Sequence, residues 1–579
     1  MQKLALQRQV SQFRRIFQDP VLAVALIGVA LFVFVMILLP LFSVIGESLS
    51  SKNLPLFQRY LSEPIYQTII GNTLGLGIVT AATSTAVGFL FAFVQVKLDV
   101  PFKRLMHVLA LIPIISPPFA VATAIIVLFG RNGLITRGVF GIRFDIYGLF
   151  GLTLALSLSL FTVAYLTLRG MMQALDPALD EAATNLGAGK WRIFRTVTLP
   201  MLLPGIASAF LLVFVEAIAD LGNPLVLGGN FEVLATRVYI SIIGLYDTSS
   251  AAVFSMILLV PSLLVFILQN YIISRSNVIS VTGKPSGRPQ YIYNPFVRWT
   301  LFGLCMAICI LIALIYGTIV IGAFVEVLGV NNNFTLRHFN FVLNGLGSQA
   351  MWDTTRLSII STPVAGLLGM LIAFLVVRKE FFGRAALDFA TMLGIAVPGT
   401  IIGIGFLLVF NTPTVWNLPF FGEVIILPKL TGGQAIFGGA LAIVIVYVVR
   451  SVPTALRSGV AALTQIDPAI EEASTSLGAD NARTFRRITL PLIRPALLAS
   501  LIFAFARSMT TISAIVFLTT PQTKIMTQQI LNEVENVRYG NAFAYCVILI
   551  LIVLTAIGVL YLGVGSATGA EQTFQRGAR

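Results

Sequence analysis

The sequence is poor in the residues that build catalytic or metal sites, and it carries little charge. Among its 579 residues are two histidines and three cysteines, and only 11% are Asp, Glu, Lys or Arg. His107 and His338 lie far apart, and the cysteines fall in apolar segments, so there is neither a zinc spacing nor a disulfide framework. A membrane-embedded enzyme would need clustered catalytic side chains, and this composition argues against that class.

Apolar residues are what the sequence has in abundance. They make up 57% of the chain, and the mean hydropathy is +0.92, which no soluble domain of this size approaches. Because a helix needs about 20 apolar residues to cross a bilayer, we predict an all-α polytopic membrane protein. Its twelve transmembrane helices are expected at 20–46, 66–96, 105–130, 146–172, 200–219, 251–274, 299–328, 354–377, 385–410, 434–456, 491–517 and 543–566.

The second half of the chain repeats the first. Asn72-Thr73 aligns with Asp353-Thr354 and Pro117 with Pro398 at an offset of 281, and later matches have an offset of 291. The difference places about ten extra residues in the loop 411–433. This pattern predicts two parallel six-helix repeats, with a first half at 1–280, a cytoplasmic linker at 281–298 and a second half at 299–579.

Lysine and arginine predict the orientation. One set of loops holds 26 of the 38 basic residues, Arg450 counted among them, and basic residues are enriched in cytoplasmic loops. We therefore expect both termini on the cytoplasmic side. The net charge of +14 is mostly this topology signal. There is no basic soluble domain, so nucleic acid is not an expected partner.

A polar segment of 25 residues occurs twice between apolar segments. Residues 176–200 and 467–491 align without a gap, and 15 of the 25 positions are identical. In the first copy Asp176 suits a helix N-cap and Pro177 the first helical position, and Gly187 suits the end of a short helix. A basic helical piece and then Pro200 or Pro491, opening the next span, are predicted to follow. An ordinary capped loop is the alternative, but two long aligned copies favour two equivalent docking surfaces.

The repeated segment resembles the "EAA" loop of binding-protein-dependent ABC importer permeases. Glu181-Ala-Ala is followed by Gly187 and then by Leu199-Pro200, and the second copy departs mildly with Ser474. The resemblance covers nearly the whole chain and implies the type I ABC importer permease fold in a bacterial inner membrane. It further implies a periplasmic binding protein and two copies of an ABC ATPase, docked on coupling loops 174–199 and 465–490 through Glu181, Ala182, Gly187, Glu472, Ala473 and Gly478.

The sequence contains no nucleotide-binding loop. A P-loop needs Gly-x-x-x-x-Gly-Lys-Ser/Thr to hold phosphates, whereas Gly187-Ala-Gly-Lys190 is followed by Trp191 and preceded by no apolar strand. We therefore expect that this chain is not an enzyme and binds no cofactor. ATP and magnesium would be used by the separate ATPase.

Charged residues inside predicted spans are candidates for the substrate path, because charge is costly there. Glu216 and Asp220 are four residues apart in the fifth span, which places them on one helix face, and their counterparts are Arg507 and Thr511. Glu216 and Arg507 are expected either to form a structural pair or to form a polar gate. Both interpretations stay open. No metal site is predicted beyond transient contacts of Glu216 and Asp220.

The segment from Ala219 to Gly229 resembles ferric-iron permeases, in which an Ala-Asp-Phe/Leu-Gly-x-Pro stretch precedes a Leu-Gly-Gly turn. Gly222, Pro224, Gly228 and Gly229 are expected to break the helix beside a cavity. Two carboxylates suit Fe³⁺, whereas Arg507, Thr510 and Thr511 would suit an anion. An organophosphate, a phosphonate or thiamine is the alternative cargo. An ion-coupled secondary transporter is the alternative class, but it would need no paired docking loops.

Overall fold

The apolar segments form long helices in the computed structural model, which describes residues 20–275, 291, 294–418 and 422–577. Within these residues, nine helices are long and apolar enough to cross a membrane, and three bent helix pairs raise the number to as many as twelve. The all-α polytopic fold is therefore confirmed. The nine are Pro20–Ser48, Pro64–Lys97, Leu149–Ala174, Lys190–Ile218, Thr248–Ile272, Pro295–Phe324, Ser348–Arg378, Ile436–Leu463 and Tyr539–Leu562.

Shorter elements connect these helices. Two antiparallel hairpins pair Val325–Val327 with Asn331–Phe334 and Thr414–Leu418 with Gly422–Leu427, and the second lies in the loop predicted to hold the ten extra residues. Helical turns of the π type occur at Phe34–Leu38, Phe194–Thr198, Ile240–Gly244 and Phe485–Thr489. The short helices are Leu54–Ser62, Pro177–Asn185, Gly222–Leu227, Leu234–Tyr239, Arg337–Leu343, Pro468–Ser476 and Met526–Glu535.

Two of the predicted straight spans are sharply bent. The span predicted at 105–130 is the pair Lys103–Ile115 and Phe119–Phe129 at 108°, and the span predicted at 385–410 is the pair Arg384–Ala396 and Gly399–Phe410 at 106°. Each bend lies at a proline in extended backbone, Pro117 or Pro398. A proline cannot donate to the helix, and the residue before it is pushed into extended geometry.

Arg450 supports the second bend. Its guanidinium donates to the carbonyls of Gly394 at 3.2 Å and Val397 at 2.9 Å, which the helix end leaves without an intrahelical donor. The side chain is 6% exposed and lies inside a membrane-crossing helix. Counting Arg450 among the loop residues was therefore wrong, because it lies within Ile436–Leu463 and its guanidinium bonds to the end of a neighbouring helix.

The fifth and eleventh spans begin earlier than predicted. Pro200 does not open a helix, since Lys190–Ile218 runs through it. The eleventh span is a pair, Phe485–Leu492 and Arg494–Thr510, bent by 71° around Ile493 rather than at Pro491. Each proline follows a π-type turn, Phe194–Thr198 or Phe485–Thr489, and lies in the first turn of the α-helical segment that comes next, where proline is tolerated.

The chain forms two compact units, and each contains parts of both sequence halves. One unit comprises residues 1–48, 346–529 and 548–579, and the other comprises 49–345 and 530–547. In the first unit, a Cβ on Gly405 would lie 2.6 Å from the Pro40 carbonyl oxygen. In the second, the Ser116 hydroxyl bonds to that of Tyr316 at 2.6 Å. The first helix of each sequence half thus packs with later helices of the other half.

The linker predicted at 281–298 lies outside the described residues over 281–290 and 292–293. Its last part is structured, because Asn294 caps a helix that begins at Pro295. The Asn294 side-chain oxygen accepts from the backbone of Phe296 at 3.0 Å. The predicted boundary between sequence halves stays a prediction.

A glycine lets two long helices pack closely in each unit. A Cβ on Gly88 would lie 2.7 Å from the Ala164 Cβ, and one on Gly369 would lie 2.3 Å from the Ala455 Cβ. Gly88 and Gly369 are related by the 281-residue offset. Small residues at helix crossings replace the hydrophobic driving force that is missing in lipid.

We predict that Gly88→Ala lowers thermal stability, by about 1–3 kcal/mol for overpacking. Gly75→Ala in the same helix is the matched control, because a Cβ at that position would meet no described atom of a neighbouring element within 4 Å, and alanine favours the helix by about 1 kcal/mol. Thermal unfolding in detergent measures both. Equal stability of the two variants would contradict the close packing at Gly88.

Candidate functional site: the two coupling helices

The repeated segments fold into two matching short helices, Pro177–Asn185 and Pro468–Ser476, which we call the coupling helices. Asp176 accepts a hydrogen bond from the Ala178 backbone at 3.0 Å, and Asp467 accepts one from Ala469 at 3.0 Å. Both aspartates are therefore N-caps, as predicted. The capping oxygens satisfy donors that the first helical turn leaves unpaired.

Both coupling helices end at a glycine in left-handed backbone. Gly187 has φ +80° and Gly478 has φ +84°. In the first copy Ala188 donates to the Ala183 carbonyl at 3.0 Å, and in the second Ala479 donates to that of Ser474 at 3.1 Å. This is the Schellman arrangement, in which glycine avoids the steric cost of positive φ. The predicted glycine stops are confirmed at both positions.

One face of each coupling helix is exposed. It carries the residues that the sequence indicated for docking, Glu181 with Ala182 and Glu472 with Ala473. The sequence pattern did not indicate the leucine beside each glycine: Leu186 is 88% exposed and Leu477 is 89% exposed. A nearly fully exposed leucine at the same position in both copies suits an apolar contact with a partner.

The opposite face of each coupling helix is held by a partly buried ion pair. Lys97 Nζ lies 2.6 Å from Asp180 Oδ2, with the two side chains 14% and 16% exposed. Arg378 Nε lies 3.2 Å from Glu471 Oε1, with exposures of 10% and 15%. Each basic residue is in the last turn of a long helix and each acid is in the first turn of a coupling helix. Those are the ends at which the helix dipoles favour their charges.

A threonine completes each ion pair. Thr198 Oγ1 donates to Asp180 at 3.5 Å, and Thr489 Oγ1 donates to Glu471 at 3.0 Å. The acids and threonines match at the offset of 291, and Lys97 matches Arg378 at the earlier offset of 281. None of these residues was predicted from the sequence. The sequence held one signal for these pairs. Asp180 is replaced by Glu471 and Lys97 by Arg378, so each position keeps its charge while the side-chain length changes.

The two copies of the repeated segment differ in several side chains, some buried and some exposed. Ser474 and Thr484 form a buried hydroxyl pair at 2.9 Å, whereas the first copy has Ala183 and Ile193 at these positions. Asp480 caps the next helical piece by accepting from the Arg483 backbone at 2.6 Å, and the first copy has a glycine there. Trp191, in the first copy alone, is 72% exposed and stacks on Phe194 with ring centroids 5.6 Å apart.

Glu216 and Asp220 do not share a helix face. Glu216 lies in the last turn of a helix that ends at Ile218, and Asp220 lies beyond that end. The assumed helical spacing was therefore wrong. Asp220 Oδ2 accepts from the Asn223 backbone at 2.9 Å and from its amide at 3.0 Å, so the carboxylate starts the short helix Gly222–Leu227.

Arg507 and Thr511 lie at the end of the matching helix in the other unit. The Arg507 guanidinium is 6.0 Å from the Phe503 ring centroid, and its backbone carbonyl accepts from the Thr511 hydroxyl at 2.6 Å. Glu216 belongs to one compact unit and Arg507 to the other, and their pairing or gating stays a prediction. Within the described residues, no three His, Cys, Asp or Glu side chains are grouped to hold a metal ion.

The predicted Leu-Gly-Gly turn borders an open cavity. Gly229 has φ +55°, and the Leu227 carbonyl accepts from the Gly148 backbone at 2.9 Å. The cavity has a volume of about 590 Å³. Its rim holds Arg131, 2.9 Å from Asp145, and this hydrogen bond keeps the pKa of the Asp145 carboxyl below its ordinary value. The predicted helix break is confirmed, but Gly222 and Pro224 begin a new short helix.

Comparison with known proteins gives a consistent result. Residues 84–278 and 365–564 match the family described as "Binding-protein-dependent transport system inner membrane component". The chain is 33% identical to the ferric transport system permease protein FbpB of Actinobacillus pleuropneumoniae, over 92% of this chain and 77% of that protein. It is 32% identical to the putative ferric transport system permease protein FbpB 1 of Haemophilus influenzae, over 88% and 79%.

A shorter match has another transport name. The molybdenum transport system permease protein ModB of Escherichia coli is 31% identical over 173 residues, which is 29% of this chain and 75% of that protein. The match is therefore shorter than either permease half and is closer in length to one family match. It agrees with the two separate family matches along the chain.

We predict that Gly187→Val and Gly478→Val distort the coupling helices, because a β-branched residue is strained at positive φ. The strain costs about 1–2 kcal/mol. Gly187→Asn and Gly478→Asn are the matched controls, since asparagine tolerates left-handed backbone. Circular dichroism will not resolve so short a helix. Limited tryptic proteolysis at Lys190 in the first copy and at Arg483 in the second is therefore the measurement. Equal cleavage of the valine and asparagine variants would contradict the prediction.

Proposed function

Because this chain belongs to the family of inner membrane components of binding-protein-dependent transport systems, we propose that it is the permease of an ATP-driven importer for ferric iron. The observation that supports an ATP-driven importer is the pair of coupling helices with matching exposed faces. The cargo is supported by the extended similarity to two proteins named for ferric transport.

Each coupling helix would dock one ATPase subunit. The exposed acids Glu181 and Glu472 would supply charged contacts to the ATPase. The exposed Leu186 and Leu477 would supply apolar contacts. Apolar anchors surrounded by polar contacts carry much of the affinity in protein interfaces. Two such faces in one chain fit two ATPase copies, and hydrolysis in those subunits would drive alternating access.

The substrate-binding protein would dock at the opposite end of the helices. The cavity beside Tyr147 lies at the start of the helix Leu149–Ala174, whose other end leads into the first coupling helix. At about 1.5 Å per residue, 26 residues separate the two ends by about 39 Å. With the coupling helices and both termini cytoplasmic, as the basic residues predict, this cavity would face the periplasm.

The cargo path would use the helix ends near Glu216, Asp220, Arg507 and Thr511. Carboxylate oxygens are suitable ligands for a hard cation such as Fe³⁺, and Asp220 is fixed in place by Asn223. Arg507 and Thr511 would instead contact an anion that accompanies the iron or replaces it. ATP and magnesium would be held by the partner ATPase, with no cofactor resident in this chain.

We predict that Glu181→Lys combined with Glu472→Lys abolishes co-purification with the ATPase while thermal stability is kept, because both side chains are exposed. Reversing a charge opposite a complementary partner costs several kcal/mol, which exceeds the effect of a neutral contact. Glu380→Lys is the matched control, an exposed acid outside the coupling loops. Full recovery of ATPase with the double variant would refute the docking assignment.

We predict that Asp220→Asn keeps the fold but reduces Fe³⁺ uptake, because asparagine can still cap the short helix without the carboxylate charge. Asp220→Ala should lose both uptake and about 1 kcal/mol of stability. Uptake of radiolabelled iron by proteoliposomes with the ATPase and loaded binding protein measures transport. Normal iron uptake by Asp220→Asn, with uptake of a phosphonate lost in Arg507→Gln, would replace iron by an anion as the cargo.

A further inference from the structure

Two long helices, Pro64–Lys97 and Ser348–Arg378, are bonded at both ends to the N-terminus of a short helix, and we call them the connecting helices. At one end, Lys97 and Arg378 bind the first-turn acids of the coupling helices. Arg378 additionally donates to the carbonyls of Leu463 at 3.0 Å and Ile466 at 2.9 Å. The end of the helix and the start of the coupling helix are thus joined by partly buried, charge-assisted bonds.

The other end of each connecting helix carries a threonine in the same role. Thr73 Oγ1 accepts from the Leu234 backbone at 2.9 Å, and Thr354 Oγ1 accepts from the Met526 backbone at 2.8 Å. Leu234 and Met526 are the first residues of the helices Leu234–Tyr239 and Met526–Glu535. Each hydroxyl therefore satisfies a backbone donor that the start of a helix leaves unpaired.

The residue before each threonine adds a second bond. The Asn72 amide donates to the Glu232 carbonyl at 3.2 Å, and Asp353 accepts from the Lys524 backbone at 3.0 Å. Both bonds join the connecting helix to the segment immediately before the short helix. The pattern occurs twice with different side chains, so it reflects a shared requirement rather than one local packing solution.

The two joints are separated by the same helical length in both copies. Thr73 to Lys97 and Thr354 to Arg378 are each 24 positions, or about 36 Å at 1.5 Å per residue. That length exceeds the hydrocarbon thickness of about 30 Å. Both helices are unbroken between the joints, although Pro363 lies within the second. Gly88 and Gly369 press them against a neighbouring helix.

We propose that each connecting helix acts as a rigid link that carries movement of its coupling helix to the short helix at the opposite end. Lys97–Asp180 and Arg378–Glu471 are the positioning residues at one joint, and Thr73 and Thr354 are those at the other. The inference rests on the proposed ATP-driven function. It adds which residues transmit the movement.

The test follows the short helix by thiol labelling and needs no cargo. Ile240→Cys places a thiol in the half-buried turn after Leu234–Tyr239, and the natural cysteines Cys305, Cys309 and Cys546 are buried. Proteoliposomes hold the permease with its ATPase. The labelling rate with a maleimide is measured with and without ATP, together with ATP hydrolysis and the amount of ATPase bound.

We expect ATP to change the labelling rate in the parent, and Lys97→Gln to reduce that change about fivefold or more while the ATPase stays bound. Lys97→Arg with Asp180→Glu transplants the second copy's pair and should restore the response. Arg457→Gln is the control, since Arg457 pairs at 3.5 Å with Asp388, which does not belong to a coupling helix. A full ATP response in Lys97→Gln would overturn the proposal.

The other joint provides a second test that does not alter charge. Thr73→Val should also reduce the ATP response. Within the described residues, the Thr68 hydroxyl bonds only to the Pro64 carbonyl of its own helix, so Thr68→Val is the matched control. Because the two joints act in series, the Lys97→Gln and Thr73→Val double variant should respond like the more affected single variant. Independent effects that multiply would indicate two separate structural defects and overturn the link.

The outcomes separate this inference from the proposed function. A parent protein that binds no ATPase, or that shows no labelling change with ATP, refutes the ATP-driven function and the link together. A parent that responds, with Lys97→Gln and Thr73→Val responding equally well, refutes the link alone. Because iron transport is not measured, both results can be interpreted even if the cargo is not iron.

Discussion

A chain that crosses hydrocarbon has to satisfy its own backbone polar groups, and the rest of this structure depends on that constraint. Unbroken helices meet it automatically, so each interruption needs a side chain. Thr73 and Thr354 accept from the first residues of short helices, and Asp220 accepts from Asn223, the second residue of another short helix. Arg450 donates to the carbonyls at a sharp bend. The breaks are therefore fixed geometries, and each is held by a polar side chain.

The two copies of the repeated segment show which side chains are shared and which are replaced. The exposed faces of the coupling helices keep the same glutamate, alanine and leucine in both copies. Behind them, an Ala183 and Ile193 pair is replaced by the hydrogen-bonded hydroxyls of Ser474 and Thr484. Buried sets can be exchanged when volume and hydrogen bonding change together. Other differences lie on the surface, since the exposed Trp191 is replaced by Ala482 in the second copy. Only part of the exposed surface is therefore shared by the two copies.

Prediction from the sequence succeeded where one residue determines local backbone geometry. Asp176 and Gly187 identified the ends of a coupling helix, because capping and positive φ depend on the residue itself. It failed where tertiary packing decides. The presence of a proline did not identify the bend at Pro117, since prolines such as Pro204 lie inside continuous helices here. Periodicity did not show which coupling-helix acid is buried. Asp180 and Glu181 are adjacent acids, but Asp180 pairs with Lys97 whereas Glu181 is exposed.

The two ends of the connecting helices are joined to their short helices by bonds of different strength. In the first copy, the joint at the coupling helix is an ion pair, whereas the opposite joint is made by the neutral groups of Thr73 and Asn72. Charge-assisted bonds are roughly twice as strong as neutral ones, so the opposite joint is the weaker one. In the second copy Asp353 makes that joint charge-assisted as well. We therefore expect the proposed link in the second copy to pass on more of the movement of its coupling helix than the link in the first copy.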